Sequence, residues 1–234
     1  QRTTLPPLKL LNLPKKILKI PLIVSVGGSN PEEISYVVER AVRAGADAVE
    51  INASCPHVEK YGAELLADLD LLKEIVGAAR DSAGRRPVFV KLSAMGDPVE
   101  AARASVEAGA DGLVAINTVR AMAIDIWARK PVLGGVYGGL SGRAIKPIAI
   151  RCVYELYEEF PEIPIIGVGG IYSWEDAIEM ISIASSSDGF RYFSSGNSLL
   201  ETSLLTSSQY SLLCPYARIR LKPYLLPISV WTFR

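Results

Sequence analysis

Several residues stand where an apolar run gives way to a loop, and their types could do chemistry there. Cys55 lies in Asn52-Ala53-Ser54-Cys55-Pro56-His57. A thiol just past an apolar run and ahead of a proline sits in a loop, where it can serve as nucleophile, metal ligand or general acid/base; the alternative is a loop cysteine with no role. His57, the single histidine, could tune that thiol or simply be solvated. Cys and His so close in sequence seldom form a catalytic dyad, whose members usually come from separate elements. Lys91 directly follows Val88-Phe89-Val90. An ammonium at the end of a buried run either snorkels to the surface or meets an anion, a carbonyl or an electron-rich ring. Asn52 and Asn117 close two matching runs and offer donor and acceptor to a planar polar ligand, although either could merely cap a turn. Gly138-Gly139-Leu140-Ser141-Gly142 and Gly167-Val168-Gly169-Gly170 each precede a helix start, an arrangement that directs backbone N–H groups at a phosphate.

The elements that must position these groups alternate regularly. Consecutive apolar residues, the pattern of buried parallel strands, occur at Pro21 to Val26, Ala48 to Ala53, Val88 to Ser93, Gly112 to Asn117 and Ile163 to Val168. Helical patterns lie between and after them, at 31–44, 63–80, 98–108, 147–159 and 174–181. Three helix starts carry a capping side chain three residues before a carboxylate: Asn30 with Glu33, Asp97 with Glu100 and Ser173 with Asp176. Ala44-Gly45-Ala46-Asp47 and Ala108-Gly109-Ala110-Asp111 end the first and third helices alike, an internal repeat of βα units. In parallel α/β architectures ligands bind at the C-terminal ends of the strands, where Asn52, Lys91 and Asn117 fall. The stretch from Val119 to Arg143 is far longer than the roughly two to six residues of an ordinary βα loop. Its glycines predict close backbone approach to something.

Composition narrows the classes. With 49% hydrophobic and 21% charged residues and a mean hydropathy of +0.24, the chain is too apolar for global disorder. Twenty-five basic residues balance twenty-five acidic ones, so no overall field favours nucleic acid or an anionic membrane. No apolar run is long enough to span a bilayer and no signal-peptide pattern opens the chain, which predicts a soluble, cytoplasmic protein. Cys55, Cys152 and Cys214 are too widely spaced for a disulfide framework or a zinc site. The chain lacks both the P-loop pattern and the G-x-G-x-x-G of dinucleotide-binding folds; two glycine turns on late strands fit the phosphate site of a (β/α)8 barrel.

Taken in order, Asn52 to His57, Val90-Lys91-Leu92-Ser93, Ile116-Asn117-Thr118, Gly138 to Gly142 running on to Lys146-Pro147-Ile148-Ala149, and Gly167 to Ile171 resemble dihydroorotate dehydrogenase. The cysteine makes the match look like the cytosolic class 1 branch. Dihydropyrimidine dehydrogenase, which has a similar flavin barrel and the same Ser-Cys-Pro-His string, is the nearest rival. The resemblance implies an α/β fold of (β/α)8 TIM-barrel type, here partial with about five recognisable βα units. It implies FMN as cofactor and the oxidation of dihydroorotate to orotate in pyrimidine biosynthesis. Cys55 would be the base that removes the C5 proton while hydride leaves C6. Asn52, Asn117 and Thr118 match substrate-binding positions, Lys91 the lysine beside the flavin ring, and Ser141, Gly142, Gly169 and Gly170 the FMN phosphate region. His57 stands where the family often has asparagine. Related enzymes are homodimers or work with an electron-transfer subunit.

This reading divides the chain into a lead-in at 1–20, an FMN-binding barrel segment at 21–181 and a Ser/Leu-rich tail at 182–234. Eleven serines fall between Ser182 and Ser211, acidic residues almost vanish, and the family's Gly-Thr strand, expected near 184–198, is absent. The tail is therefore expected not to be the native continuation of the fold. A non-catalytic remnant that binds a phosphate ligand or a partner, and another phosphate-binding barrel enzyme with a covalent lysine, are the alternatives from other classes.

Overall fold

The computed structural model describes residues 21–53 and 68–183, together with the backbone of 211–214 and 217–220. The lead-in at 1–20, the segment 54–67 that holds Cys55 and His57, and most of the tail lie outside the described residues.

Five parallel strands form one sheet in the order of the chain: β1 (Ile23–Val26), β2 (Ala48–Asn52), β3 (Val88–Leu92), β4 (Gly112–Ala115) and then Ile165–Gly167, numbered β9 below. Helices α1 (Pro31–Arg43), α2 (Leu69–Ala83), α3 (Pro98–Glu107), α4 (Lys146–Glu159) and α5 (Trp174–Ile183) follow them. Strand order never reverses. With right-handed crossovers, every helix then falls on one face of the sheet, as in the wall of a barrel and unlike a doubly wound sheet. All five expected strand–helix pairs are present, with most ends shifted by one to three residues; the second helix, expected over 63–80, runs from Leu69 to Ala83, and its expected residues 63–67 lie outside the described residues.

Side chains alternate across the sheet. Val49, Ile51, Val90, Leu92 and Leu113 join helix residues such as Ile34, Leu72 and Leu156 in the main core. Ala48, Phe89 and Val114 point to the opposite, inner face, where Ile23, Ile166 and Val168 pack against them. Because both faces carry apolar residues, the strands show continuous rather than alternating hydrophobicity.

The repeated Ala-Gly-Ala-Asp turns have a structural reason. Asp47 donates its N–H to the Leu22 carbonyl at 2.9 Å, and its carboxylate accepts from the Leu22 N–H at 2.7 Å. Asp111 does the same with Val88, at 2.8 Å and 2.7 Å, and also pairs with Arg80. Each aspartate thus clasps its own strand to the preceding one at the N-terminal end, opposite the candidate site. The expected caps form as well. Asn30 accepts from the Glu33 N–H at 2.9 Å, Asp97 from Val99 and Glu100, and Ser173 exchanges bonds with Asp176. Asp68, not anticipated, caps α2 through the Leu71 N–H at 3.0 Å.

The long connection after β4 is an ordered ribbon. β5 (Val119–Ala121) pairs antiparallel with β8 (Gly138–Leu140), and inside that pair β6 (Ile124–Asp125) meets β7 (Lys130–Pro131). In the tail, β10 (Ser211–Cys214) and β11 (Ala217–Arg220) form a separate antiparallel pair, for which the sequence reading assigned no element. Among the described residues, no helix is long and apolar enough to cross a membrane.

Candidate functional site at the C-terminal rim of the sheet

Alternation along β2 puts Glu50 and Asn52 on the inner face, and along β3 it puts Phe89 and Lys91 there. The register sets Ser25 beside Glu50 and Asn52 beside Lys91. On β2 and β3 the inner face is therefore layered: apolar near the strand starts, at Ala48 and Phe89, and polar near their C-terminal ends. β4 ends two residues earlier than expected, because its last amides diverge. The Ile116 N–H goes to the Val168 carbonyl and the Asn117 N–H to the Leu92 carbonyl, both at 2.9 Å.

That divergence pins Asn117 over the end of β3. Its Nδ2 donates to Asn52 Oδ1 at 3.0 Å, and its Oδ1 accepts from the Thr118 N–H at 2.8 Å. The Thr118 contact orients the amide, so the two asparagines form one bridge from β2 to the segment after β4, with Lys91 on the strand between them. Lys91 does not snorkel free of partners: its Nζ lies 3.7 Å from Glu50 Oε1, with side-chain exposures of 19% and 7%. Ser93, at the next inward position, accepts from the Met95 N–H at 3.0 Å and holds the turn.

The glycine turns complete the rim. Gly139 faces Thr118 so closely that a Cβ would collide with the threonine side chain. The expected close approach of this connection is thus to the chain itself, and it fastens the ribbon base, with Ser141 just beyond, to the asparagine bridge. Gly142 has φ +90°, Gly169 +129° and Gly170 +73°, conformations that favour glycine. A Cβ on Gly170 would lie 2.6 to 2.9 Å from Lys146 Cβ, Cα and N, so the β9 turn is pressed against the start of α4. Among the described residues, the N–H groups of Gly169 and Gly170 have no acceptor.

Lys146 itself bonds Asp176 Oδ1 at 2.6 Å and Glu179 Oε2 at 2.8 Å. The Asp176 bond, then the Glu179 bond, raises its pKa above the usual lysine value. Asp176 is held well below the usual carboxylate range, first by Lys146 and then by the Tyr172 N–H. The ammonium is committed to α5, so the polar groups left open at this turn are backbone N–H groups.

The structure thus brings Asn52, Lys91, Asn117 and Thr118 together at the strand ends, while Ser141 and Gly142 follow β8, Gly169 packs on Ala149 and Ile145, and Gly170 on Lys146. Cys55 lies outside the described residues, three positions beyond Asn52. Glu50 was not singled out from the sequence. Its signal was a lone charge two residues before Asn52, hence on the same face, in an otherwise apolar strand.

The family model described as dihydroorotate dehydrogenase matches residues 8–190. The chain belongs to the dihydroorotate dehydrogenase family. The resemblance read from the motifs is borne out, and the family match extends beyond 21–181 at both ends. The catalytic subunit of dihydroorotate dehydrogenase B (NAD(+)) from Methanosarcina acetivorans is 46% identical over 172 residues, which cover 73% of this chain and 55% of that protein. The Methanocaldococcus jannaschii catalytic subunit is 48% identical over 170 residues, covering 72% and 55%. A dihydroorotate dehydrogenase structure from Eimeria tenella in complex with ferulenol superposes with a TM-score of 0.59 at 24% identity, over 75% of this chain and 54% of that one. That likeness shows the barrel-type fold in part. The chain spans about half the length of the dihydroorotate dehydrogenase relatives it matches.

Proposed function

We propose that this chain contributes the Asn52–Lys91–Asn117 part of an FMN-dependent dihydroorotate dehydrogenase site, oxidising dihydroorotate to orotate in pyrimidine biosynthesis. The observation that carries the reading is the asparagine bridge laid across the end of β3, with Lys91 on the strand beneath it. Two carboxamides in fixed orientation suit a planar ring that both donates and accepts hydrogen bonds.

FMN fits the residues present. Gly169 and Gly170 offer unengaged N–H groups at a tight turn beside a helix start, suited to a phosphate, and the family resemblance adds Ser141 and Gly142 to that region. Lys91 offers a cation to an electron-rich ring edge. When bound, FMN would supply the acceptor for the two electrons and the hydrogen leaving C6. The chain's own part is to hold the substrate ring through Asn52, Asn117 and Thr118, and to take the C5 proton on the Cys55 thiolate. The domain division follows: 21–181 carries the cofactor half-site, and 1–20 and 182–234 have no assigned part in it.

The names of the Methanosarcina and Methanocaldococcus relatives support work as a catalytic subunit that passes electrons to NAD+ through a partner. The family resemblance supports pairing with a second copy and a cytoplasmic location.

The test is anaerobic. The full chain, titrated with FMN, should quench flavin fluorescence, and added dihydroorotate should then bleach the bound flavin. Cys55→Ala should bind FMN equally well and bleach on the order of 10² to 10⁴ more slowly. A chain that holds no FMN, or equal bleaching rates in the two proteins, overturns the reading.

A further inference from the structure

The inner face carries a buried carboxylate that no step above uses. Among the described residues, Glu50 is the one charged side chain in the buried class, and it lies one inward position before Asn52. Burying a carboxylate is costly unless it is paired, and an apolar residue of similar volume is often at least as stable in such a place. Here it would extend the layer of Ala48, Phe89 and Val114. Stability is therefore a poor reason for the pair, and its geometry supplies a better one.

We infer that Glu50, held by Ser25, is a positioning residue that sets where the Lys91 ammonium stands at the rim. Ser25 Oγ donates to Glu50 Oε1 at 2.6 Å, which fixes the carboxylate from the edge strand. The same Oε1 lies 3.7 Å from Lys91 Nζ, beyond hydrogen-bond length, so it restrains the ammonium by charge across a gap. Three adjacent strands thus contribute one residue each to a relay from β1 to β3. The relay ends beside Asn52, the register partner of Lys91. Glu50 touches neither substrate nor cofactor in this account and acts through Lys91. The ligand it serves is an electron-rich or anionic ring at the rim, which rests on the proposed function.

Two measurements test the relay separately from that function. In the unliganded full chain, acetylation by a succinimidyl ester is followed peptide by peptide, with exposed Lys130 as internal reference. Glu50→Gln keeps the shape and should raise the Lys91-to-Lys130 ratio about five-fold. Ser25→Ala, at an exposed position that tolerates change, should raise it about two-fold and decides the matter if Glu50→Gln fails to fold. Unchanged ratios in both variants overturn the proposal, whether or not FMN binds. In the FMN-loaded chain, Lys91→Ala should make the flavin harder to reduce. Glu50→Gln should shift the midpoint potential in the same direction, although deleting a negative charge alone would make reduction easier. A potential that rises in Glu50→Gln shows a plain charge effect and overturns the positioning role. A chain that takes up no FMN refutes the proposed function and leaves the acetylation result to decide the role of Glu50.

Discussion

The rim of the sheet and the ribbon that springs from it both follow strand ends, yet they are ordered by different means. At the rim, Asn117 is tied through its backbone to β3, through Nδ2 to β2 and through Oδ1 to Thr118, and the strands beneath are packed on both faces. The ribbon rests on strands of two or three residues. It exposes Ile124, Ile126, Trp127, Val132 and Leu133. Local hydrogen bonds can shape a segment, but only burial against other elements makes displacing it expensive.

The largest effect that separates the two regions is truncation of the core under the rim. Leu113 is fully buried on β4 between the sheet and its helices. Leu113→Ala should destabilise the chain by about 2 to 5 kcal/mol, read as a lower urea midpoint at unchanged slope. A loss below about 1 kcal/mol would place the rim on no firmer footing than the ribbon and dissolve the contrast.

A smaller effect concerns the charged clasp behind the glycine turns. Asp176 is held below the usual carboxylate range by Lys146 and by the Tyr172 and Ser173 N–H groups. A depressed folded-state pKa contributes stability that is present above the unfolded value of about 4 and is lost as pH falls toward the folded value. Wild-type chain should therefore lose thermal stability as pH drops below about 4. Asp176→Asn should be less stable at neutral pH and show a shallower loss over the same acid range. Parallel profiles would mean that the clasp does not couple α4 to α5. Arg120 stacked on Tyr137 is the nearest ribbon counterpart, and it has no carboxylate to titrate.

The same contrast explains what could be read from the sequence. The five strands and their helices were legible because apolar runs, caps and glycine turns agree on them. Asn52, Lys91 and Asn117 were legible because a polar side chain at a strand end stands out against such runs. The ribbon was not. Its inner turn has no glycine: Arg129 takes φ 52°, and the turn is built by Asp125, which accepts from the Trp127 and Ala128 N–H groups at 2.9 Å. Two-residue strands leave no periodicity to detect. Glu50 is a lone charge in an apolar run, but its partner could not be read, because the pairing joins residue 50 to residue 91 and depends on the neighbouring strand's register. Cys55, legible as a thiol just past a strand end, lies outside the described residues.

The smallest effect is expected at the ribbon tip, where it sharpens the comparison most. Trp127 is 89% exposed and has little packing to lose, so Trp127→Ser should change unfolding free energy by no more than about 0.5 kcal/mol. Its indole should be open to solvent, and acrylamide should quench it efficiently. The fluorescence lost on substitution should then be more quenchable than that of Trp174, which is 49% exposed. A Trp127 signal shielded from acrylamide, or a destabilisation near that of Leu113→Ala, would mean that the apolar tip is covered in solution. Its order would then come from burial, as at the rim, and the distinction between the two regions would fail at its sharpest point.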